Sequence, residues 1–267
     1  MLRSDSPVDA RLSICAIYQD EAPYLREWVA FHRLIGVERF FLYDHESTDT
    51  HREELAPFVH DGTVLIQDWP VNPGQREAYD HCVAEHGHES RWIAFIDIDE
   101  FLFSPSDESI AEILSEYDHL PGVGVPWAVF GSSGHKTRPP GLVIESYTLR
   151  SARPRNSRWF KSIVDPRGVV RAMGPHAFSY RDRNYAGPVP AFVPFERLRI
   201  NHYWTKSEEE LRQKLMRPRA DTGAAYAPTA ERALTITSAE TSVFDDAILR
   251  YLPALRETLA ATAGSAA

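Results

Sequence analysis

Segments with two different hydrophobic patterns alternate over the first hundred residues. Some have the continuous apolar character of buried strands, and amphipathic helical segments separate them. The strand-like segments are LSICAIY, VERFFLYD, TVLIQDW and RWIAFIDIDEFLF. This alternation predicts an α/β fold with a Rossmann-like, mostly parallel sheet and helices on both of its faces. We therefore predict a single domain of this class.

Acidic side chains follow several of the strand-like segments. Asp20 and Glu21 come after the first segment, Asp44 ends the second, and Asp97 and Asp99 interrupt the fourth. In sheets of this type, ligands bind outside the carboxyl ends of the strands. The sequence therefore predicts a polar ligand site at that edge of the sheet.

The triplet Asp97-Ile98-Asp99 indicates a bound cation. In an extended strand, a period of two sends both carboxylates to the same side. Carboxylates this close repel each other unless a proton or a cation lies between them. Oxygen ligands favour a hard divalent ion such as Mn²⁺ or Mg²⁺. The alternative is that these acids are ordinary turn or cap residues, which explains one acid better than two.

Composition argues against several classes of partner and site. The net charge of −9 argues against a nucleic-acid partner. Cys15 and Cys82 lie in apolar segments outside any CxxC pair, which argues against a zinc site. The sequence has no apolar run approaching the ~20 residues that span a bilayer and no apolar stretch typical of a signal peptide. We expect a cytoplasmic protein.

Five blocks of sequence, in this order, carry a family resemblance. They are YQDEAPYLREWVAFHRLIGVERFFLYDHESTD, WIAFIDIDEFLF, WAVFGSSGH, FKSIV followed by GPHAF, and INHYWTKSEEE. Between Ile14 and Arg217 the chain resembles glycosyltransferases of the GT-A fold, most closely family 92 and its family-2-like relatives. There is one departure: relatives usually read Lys-Asn-Glu where this chain has Gln19, Asp20 and Glu21.

The resemblance implies domain boundaries and a set of site residues. It implies a flexible N-terminus (1–11), a GT-A domain (12–217) with a nucleotide-binding half (12–103) and an acceptor-binding half (104–217), and a C-terminal helical extension with a frayed tail (218–267). The implied nucleotide contacts are Glu21, Asp44, Asp49, Asp97, Lys161 and Lys206. The implied ligands of Mn²⁺ (or Mg²⁺) are Asp97, Asp99 and His202.

The implied reaction is transfer of a sugar, galactose by resemblance, from a UDP-sugar to a hydroxyl of a glycan or lipid-linked acceptor. A divalent ion neutralises the leaving diphosphate, and the anomeric carbon becomes oxocarbenium-like. Inversion needs a base opposite the leaving group. Three candidates from the second half stay open: His135, Glu145 and Asp165. Trp127, Phe130 and His176 are candidates for acceptor binding, with packing in the core as the alternative for both Trp127 and Phe130.

Residues 150–171 form a basic stretch opposed only by Asp165. Its basic residues are Arg150, Arg153, Arg155, Arg158, Lys161, Arg167 and Arg171. Three interpretations remain open: a solvated loop face, contact with the donor diphosphate or an anionic acceptor, and peripheral contact with a membrane.

Two other functions remain alternatives to the transferase. A phosphohydrolase of the haloacid dehalogenase type also uses DxD, but its nucleophile normally lies on the first strand, which here ends in Gln-Asp-Glu. A module that binds nucleotide sugars or glycans without turnover would keep the same acids. The chain has no P-loop signature.

Overall fold

The computed structural model describes residues 10–152, 159–185, 187–226 and 241–264. Within these ranges the helices are α1 (Ala22–Leu34), α2 (His51–His60), α3 (Gln75–His86), α4 (Ile110–Ser115), α5 (Val143–Ser146), α6 (Glu208–Met216) and α7 (Leu252–Gly264). The strands are β1 (Ala10–Tyr18), β2 (Arg39–Asp44), β3 (Val64–Asp68), β4 (Ser90–Phe95), β5 (Glu100–Phe103), β6 (Gly122–Val129), β7 (Leu149–Ser151), β8 (Phe160–Val164), β9 (Val169–Ala172), β10 (Phe178–Tyr180), β11 (Arg199–His202) and β12 (Thr241–Phe244).

Eight strands form one mixed sheet in the order β3-β2-β1-β4-β8-β6-β11-β5. Strands β1 to β4 pair in parallel, and β6 pairs in parallel with β11. Strand β8 is antiparallel to both of its neighbours, and β5 is antiparallel to β11 at the edge. The predicted α/β class with a mostly parallel sheet is confirmed.

Alternate residues of β1 show how the sheet is covered. Ile14 and Ala16 pack in the same core as Trp28 of α1. Cys15 packs on the opposite face with Cys82 of α3. Because β1 is buried on both faces, its sequence is continuously apolar rather than alternating. The prediction of helices on both faces is confirmed, and both cysteines are buried free thiols.

The stretch RWIAFIDIDEFLF is not one strand, as the sequence predicts, but two. Strand β4 ends at Phe95, β5 begins at Glu100, and residues 96–99 form a turn closed by the Glu100 N–H, which donates to the Asp97 carbonyl over 3.0 Å. Apolar residues on both sides of the turn are buried, so hydropathy does not mark the break. Asp97 and Asp99 therefore lie on a turn, and the period of two does not apply to them.

The short turn requires the sheet to curl. Strands β4 and β5 are four positions apart in the sheet, which is about 19 Å if the sheet is flat. Five residue steps span about 17 Å at most, and the hydrogen-bonded turn shortens that reach. The edge formed by β11 and β5 must therefore curl back towards the end of β4.

Three further segments differ from what the sequence favours. The apolar pattern of GLVIESYTLR favours a strand, but this segment forms the short helix α5 and then β7. The C-terminal extension contains the predicted helix, α7, which packs against α1, but also β12, which pairs with β7. At the other end, β1 begins at Ala10, inside the segment predicted to be flexible.

His32 joins α1 to β5 through both of its ring nitrogens. Nδ1 lies 2.8 Å from the Trp28 carbonyl oxygen, and Nε2 lies 3.2 Å from the backbone nitrogen of Leu102. A neutral ring with its proton on Nδ1 donates to the first partner and accepts from the second. The residue is fully buried, and burial lowers its pKa to about 3.

This burial predicts a loss of stability in acid. The unfolded state, with a histidine pKa near 6.5, takes up the proton first as pH falls, so stability decreases between about pH 6.5 and pH 3. We expect the destabilisation caused by His32→Gln to shrink by about 1 kcal/mol per pH unit between pH 6 and pH 4. Urea unfolding across that range measures it, with His60→Gln, at an exposed histidine, as the matched control. A difference that stays constant with pH would contradict the prediction.

Candidate active site

A cavity of about 690 Å³ lies at the carboxyl end of β1. Its walls come from residues 17–21, the turn at 97–99, and aromatic side chains on and beside β6, β8 and β11. The remaining wall is the end of α6 and the segment that follows it, Lys214 to Tyr226. The predicted ligand edge of the sheet is therefore an open pocket with both acidic and basic residues in its lining.

Asp97 lies above a buried cation. Its Oδ2 is 2.8 Å from Nζ of Lys161, and its Oδ1 accepts a hydrogen bond from Gln75 over 3.0 Å. Nζ of Lys161 is also 3.6 Å from Oε2 of Glu100, and the Lys161 and Glu100 side chains are both fully buried. Burial works to lower the pKa of Lys161, but Asp97 and Glu100 outweigh it and raise that pKa well above its usual value. Lys161 is therefore a buried, protonated counter-ion and lies beneath the cavity lining.

Asp99 contacts two groups through its two oxygens. Oδ2 is 2.5 Å from Nζ of Lys214, and Oδ1 is 3.5 Å from Nε2 of His202. Burial works to raise the pKa of Asp99, but Lys214 and His202 outweigh it and hold that pKa well below its usual range. Asp99 is therefore an ionised carboxylate on the cavity wall.

A carboxylate lies on each side of the His202 ring. Nδ1 faces Oε1 of Glu100 at 3.9 Å, and Nε2 faces Asp99. Over the described part of the chain, neither Nδ1 of His202 nor Oε1 of Glu100 has a hydrogen-bond partner. Metal-binding histidines commonly donate the N–H of their other ring nitrogen to a carboxylate, and the Glu100 carboxyl group lies on that side of His202, beyond hydrogen-bond distance. The strand break creates this arrangement, because β5 pairs with β11 so that Glu100 lies opposite His202.

The donor atoms of Asp99 and His202 fit part of a divalent-ion site. Their separation of 3.5 Å is close to that of adjacent ligands each about 2.1 Å from a metal. The structure, over its described ranges, holds no cluster of three or more His, Cys, Asp or Glu side chains suited to a metal. Asp97 is instead engaged by Lys161. Two protein ligands, with the other positions left to ligand oxygens, are what the residues present can offer.

The other implied nucleotide contacts lie in different settings. Glu21 lines the cavity, and Lys206 lies beside it at 3.4 Å. Asp44 and Asp49 are not in the cavity lining, and both contact His51, at 3.2 and 3.0 Å. Asp49 also accepts the Ala22 N–H over 2.8 Å, at the first residue of α1. These two acids brace the loop between β2 and α2 against α1.

Two of the three acceptor candidates line the cavity. Trp127 packs edge-on against His202 at 4.2 Å between ring centres, and His176 packs against Trp127 at 5.2 Å. Nδ1 of His176 lies 2.8 Å from the Phe160 carbonyl oxygen. Burial and Lys161 lower the pKa of His176 to about 4. Phe130 is instead a core residue: it is fully buried against Tyr203 and is absent from the lining.

The three candidate bases do not lie on the cavity wall. Nε2 of His135 lies 3.0 Å from the Ser146 carbonyl oxygen. Glu145 accepts the Leu142 N–H at the start of α5 and forms an ion pair with Arg256. Asp165 is bound by Arg91 and Arg167. Each of these side chains therefore has a structural partner, and the geometry does not support any of the three as the proton acceptor.

Three residues of the basic stretch at 150–171 lie in different settings in the part of the chain that the structure describes. Arg150 forms an ion pair with Asp245, Lys161 is buried, and Arg167 pairs with Asp165. Arg153, Arg155 and Arg158 lie outside the described residues. Among the helices that the structure describes, none is long and apolar enough to cross a membrane.

Several cavity residues are absent from the sequence predictions. They are Gln75, Trp204, Lys214, Arg217, Arg219 and Tyr226. Lys214 lies in the last turn of α6, where a basic residue is ordinary evidence for a helix end. The segment after α6 packs against the start of α3, where the Ala220 carbonyl oxygen accepts the N–H groups of Gly74 and Gln75. Only this packing shows that the end of α6 and the segment after it close the site.

Comparison with known families identifies the family to which this fold and cavity belong. The model of glycosyltransferase family 92 matches residues 10–227, which include every cavity residue named above. The chain belongs to glycosyltransferase family 92. This assignment argues against the phosphohydrolase alternative.

Relatives with curated names agree with the family. A glycosyltransferase family 92 protein of Oryza sativa subsp. japonica is 34% identical over 58% of this chain and 27% of its own length. The galactan beta-1,4-galactosyltransferase GALS2 of Arabidopsis thaliana is 27% identical over 60% of this chain and 34% of its own length. The chain thus spans about a third of the curated relatives it matches. The S. aureus TarS 1–349 crystal structure aligns with 58% of this chain and 47% of its own at 14% identity, with a TM-score of 0.40, which is too distant to add to the argument.

Proposed function

We propose that this family 92 glycosyltransferase transfers a sugar from a UDP-sugar to a hydroxyl of a carbohydrate acceptor, with a divalent ion and with inversion. The observation that carries the proposal is the pairing of Asp99 Oδ1 and His202 Nε2, 3.5 Å apart, on the wall of a cavity of about 690 Å³. This volume lies in the range of small-molecule sites.

Asp99 and His202 are the residues that would hold Mn²⁺ or Mg²⁺. When bound, the ion supplies positive charge to the departing diphosphate. Glu100 lies 3.9 Å away on the Nδ1 side of the His202 ring, and it would accept the Nδ1 proton if the two side chains moved closer. Lys161 keeps Asp97 in place from below, so the turn that carries both acids is fixed before any ligand binds.

The aromatic wall supports a carbohydrate acceptor. Trp127 and Trp159 lie 5.7 Å apart between ring centres, and both line the cavity. Aromatic faces of this kind provide contact area for the apolar face of a sugar ring. His176 is neutral near pH 7 because its pKa is about 4. With Nδ1 engaged by Phe160, its Nε2 is the atom left to accept a hydrogen bond from an acceptor hydroxyl.

Galactose is the sugar we propose first. The support is the activity for which two relatives in Arabidopsis thaliana are named: both are galactan beta-1,4-galactosyltransferases, and both match 60% of this chain. A glycan acceptor follows from the same support, and a lipid-linked acceptor is the alternative.

The purified protein, incubated with Mn²⁺ and a panel of UDP-sugars, tests the proposal. We expect slow release of UDP into water with the correct donor, faster release with a β-galactan oligosaccharide, and little release in EDTA. Proton NMR of the product should show the anomeric configuration opposite to that of the donor. Undiminished turnover in EDTA would refute the metal dependence. Retention of configuration would refute inversion, and binding without turnover would favour a module that only binds the donor.

A further inference from the structure

Lys214 is a basic residue of the cavity lining for which the family assignment gives no role. It projects from the last turn of α6, with its Nζ 2.5 Å from Oδ2 of Asp99 and 5.4 Å from the ring centre of Trp204. Its side chain is about one third exposed (32%) and lines the cavity. The ammonium group therefore lies against the carboxylate that we propose as a metal ligand, on the side facing open space.

The two other basic residues on this wall have different partners. Arg217 donates to the Gln19 carbonyl oxygen over 2.9 Å, and Arg219 forms a two-point ion pair with Asp221. Each of these contacts fastens the segment after α6. Among the described residues, the charged group in contact with Lys214 is Asp99, while Glu21 and Tyr226 act on it only at longer range.

This position gives Lys214 two opposing effects on ligands. An ammonium in contact with Asp99 repels a divalent ion that approaches the same carboxylate, so it weakens binding of the bare ion. A diphosphate bound to that ion would bring anionic oxygens next to the ammonium, and charge-assisted hydrogen bonds of this kind are strong. The same side chain should therefore disfavour the metal alone and favour the metal together with a nucleoside diphosphate.

We propose that Lys214 is an exchanging cation: it neutralises Asp99 in the free enzyme and moves to the diphosphate when the nucleotide sugar and its divalent ion bind. This inference rests on the proposed function, because it takes Asp99 as a metal ligand. In the loaded enzyme Lys214 adds a second positive charge beside the leaving group. In the empty site it neutralises the charge of Asp99 and keeps the affinity for free metal low.

The test measures two affinities that should move in opposite directions. In Lys214→Met, Mn²⁺ titrated into the nucleotide-free protein and followed by electron paramagnetic resonance should bind at least about threefold more tightly. In the same variant, UDP titrated by calorimetry at saturating Mn²⁺ should bind about tenfold or more weakly. Lys214→Arg, which keeps the charge, should keep both affinities within about threefold of the wild-type values. If Lys214→Met does not fold, Lys214→Arg still tests the proposal, because its retained charge should preserve UDP binding.

Arg212→Met is the matched control, because Arg212 lies on the same helix but is exposed and pairs with Glu208. It should change neither affinity. Unchanged affinities in Lys214→Met, or affinities that move in the same direction, would overturn the proposal, as would loss of UDP binding in Lys214→Arg.

Asp99→Asn separates this failure from failure of the proposed function. If Asp99→Asn binds Mn²⁺ as the wild type does, the metal assignment is wrong, and so is the proposed role of Lys214. If Asp99→Asn loses Mn²⁺ while Lys214→Met behaves as the wild type does, only the exchange of Lys214 is wrong.

Discussion

Replacing Asp99 with asparagine is expected to abolish Mn²⁺-dependent binding of UDP and to lower turnover by at least about a hundredfold. The substitution keeps the shape of the side chain and removes its charge. It also leaves Lys214, 2.5 Å away in the wild type, without its counter-ion. The ion then loses a charged ligand and meets an unbalanced ammonium, and both changes oppose its binding.

Calorimetry with UDP, with and without Mn²⁺, measures this effect directly. Asp118→Asn removes the same charge from a half-exposed side chain paired with Arg91, and it is the matched control. Thermal unfolding of both variants checks that the fold persists. Mn²⁺-dependent UDP affinity equal to that of the wild type in Asp99→Asn would remove the basis of the metal assignment.

Lys161→Met is expected to cost about 3–5 kcal/mol of unfolding free energy, which corresponds to a melting temperature lower by roughly 10 °C in a chain of this size. Its ammonium lies 2.8 Å from Asp97 and 3.6 Å from Glu100, and the Glu100 side chain is fully buried. Removing the lysine leaves that carboxyl group without its buried counter-ion.

A second substitution distinguishes loss of charge balance from loss of packing. Burial raises the pKa of Glu100 well above its usual value, so a neutral side chain should be tolerated at that position. Lys161→Met combined with Glu100→Gln should recover part of the loss, since a neutral amide at position 100 needs no counter-ion. Lys136→Met, at an exposed lysine, is the control for both variants. Chemical denaturation measures all of them, and a Lys161→Met variant as stable as the wild type would show that Lys161 carries no such role.

The first half of the fold could be predicted because each element there has its own local signal. Strands β1 to β3 are short apolar runs, and Pro23 and Gly36 bracket α1. The break between β4 and β5 has no such signal, because Phe95 and Phe101 are buried on either side of it. Which edge of the sheet β5 joins depends on pairing with β11, about a hundred residues later in the chain.

The site residues also divide into those that the sequence indicates and those that only the packing reveals. Asp99 and His202 could be named from their sequence blocks, and the structure brings their donor atoms to 3.5 Å. Lys161 could be named as well, but not its burial beneath Asp97, because burial depends on how β8 packs. Lys214 and Arg217 could not be named, since a helical pattern does not indicate which part of the sheet its last turn will cover.

The turn at 96–99 also limits how this region can change its length. Strand β4 is held in register against β1, and β5 is held against β11. One added residue would either bulge out of the turn and displace the two acids, or shift a strand, and a shift of one position exchanges the two faces of that strand. In β5 this would turn Phe101 and Phe103 out of the environments in which they are now fully enclosed. The length of the loop that carries both acids is therefore coupled to the registers of the strands on either side, and to the position of the two carboxyl groups on the cavity wall.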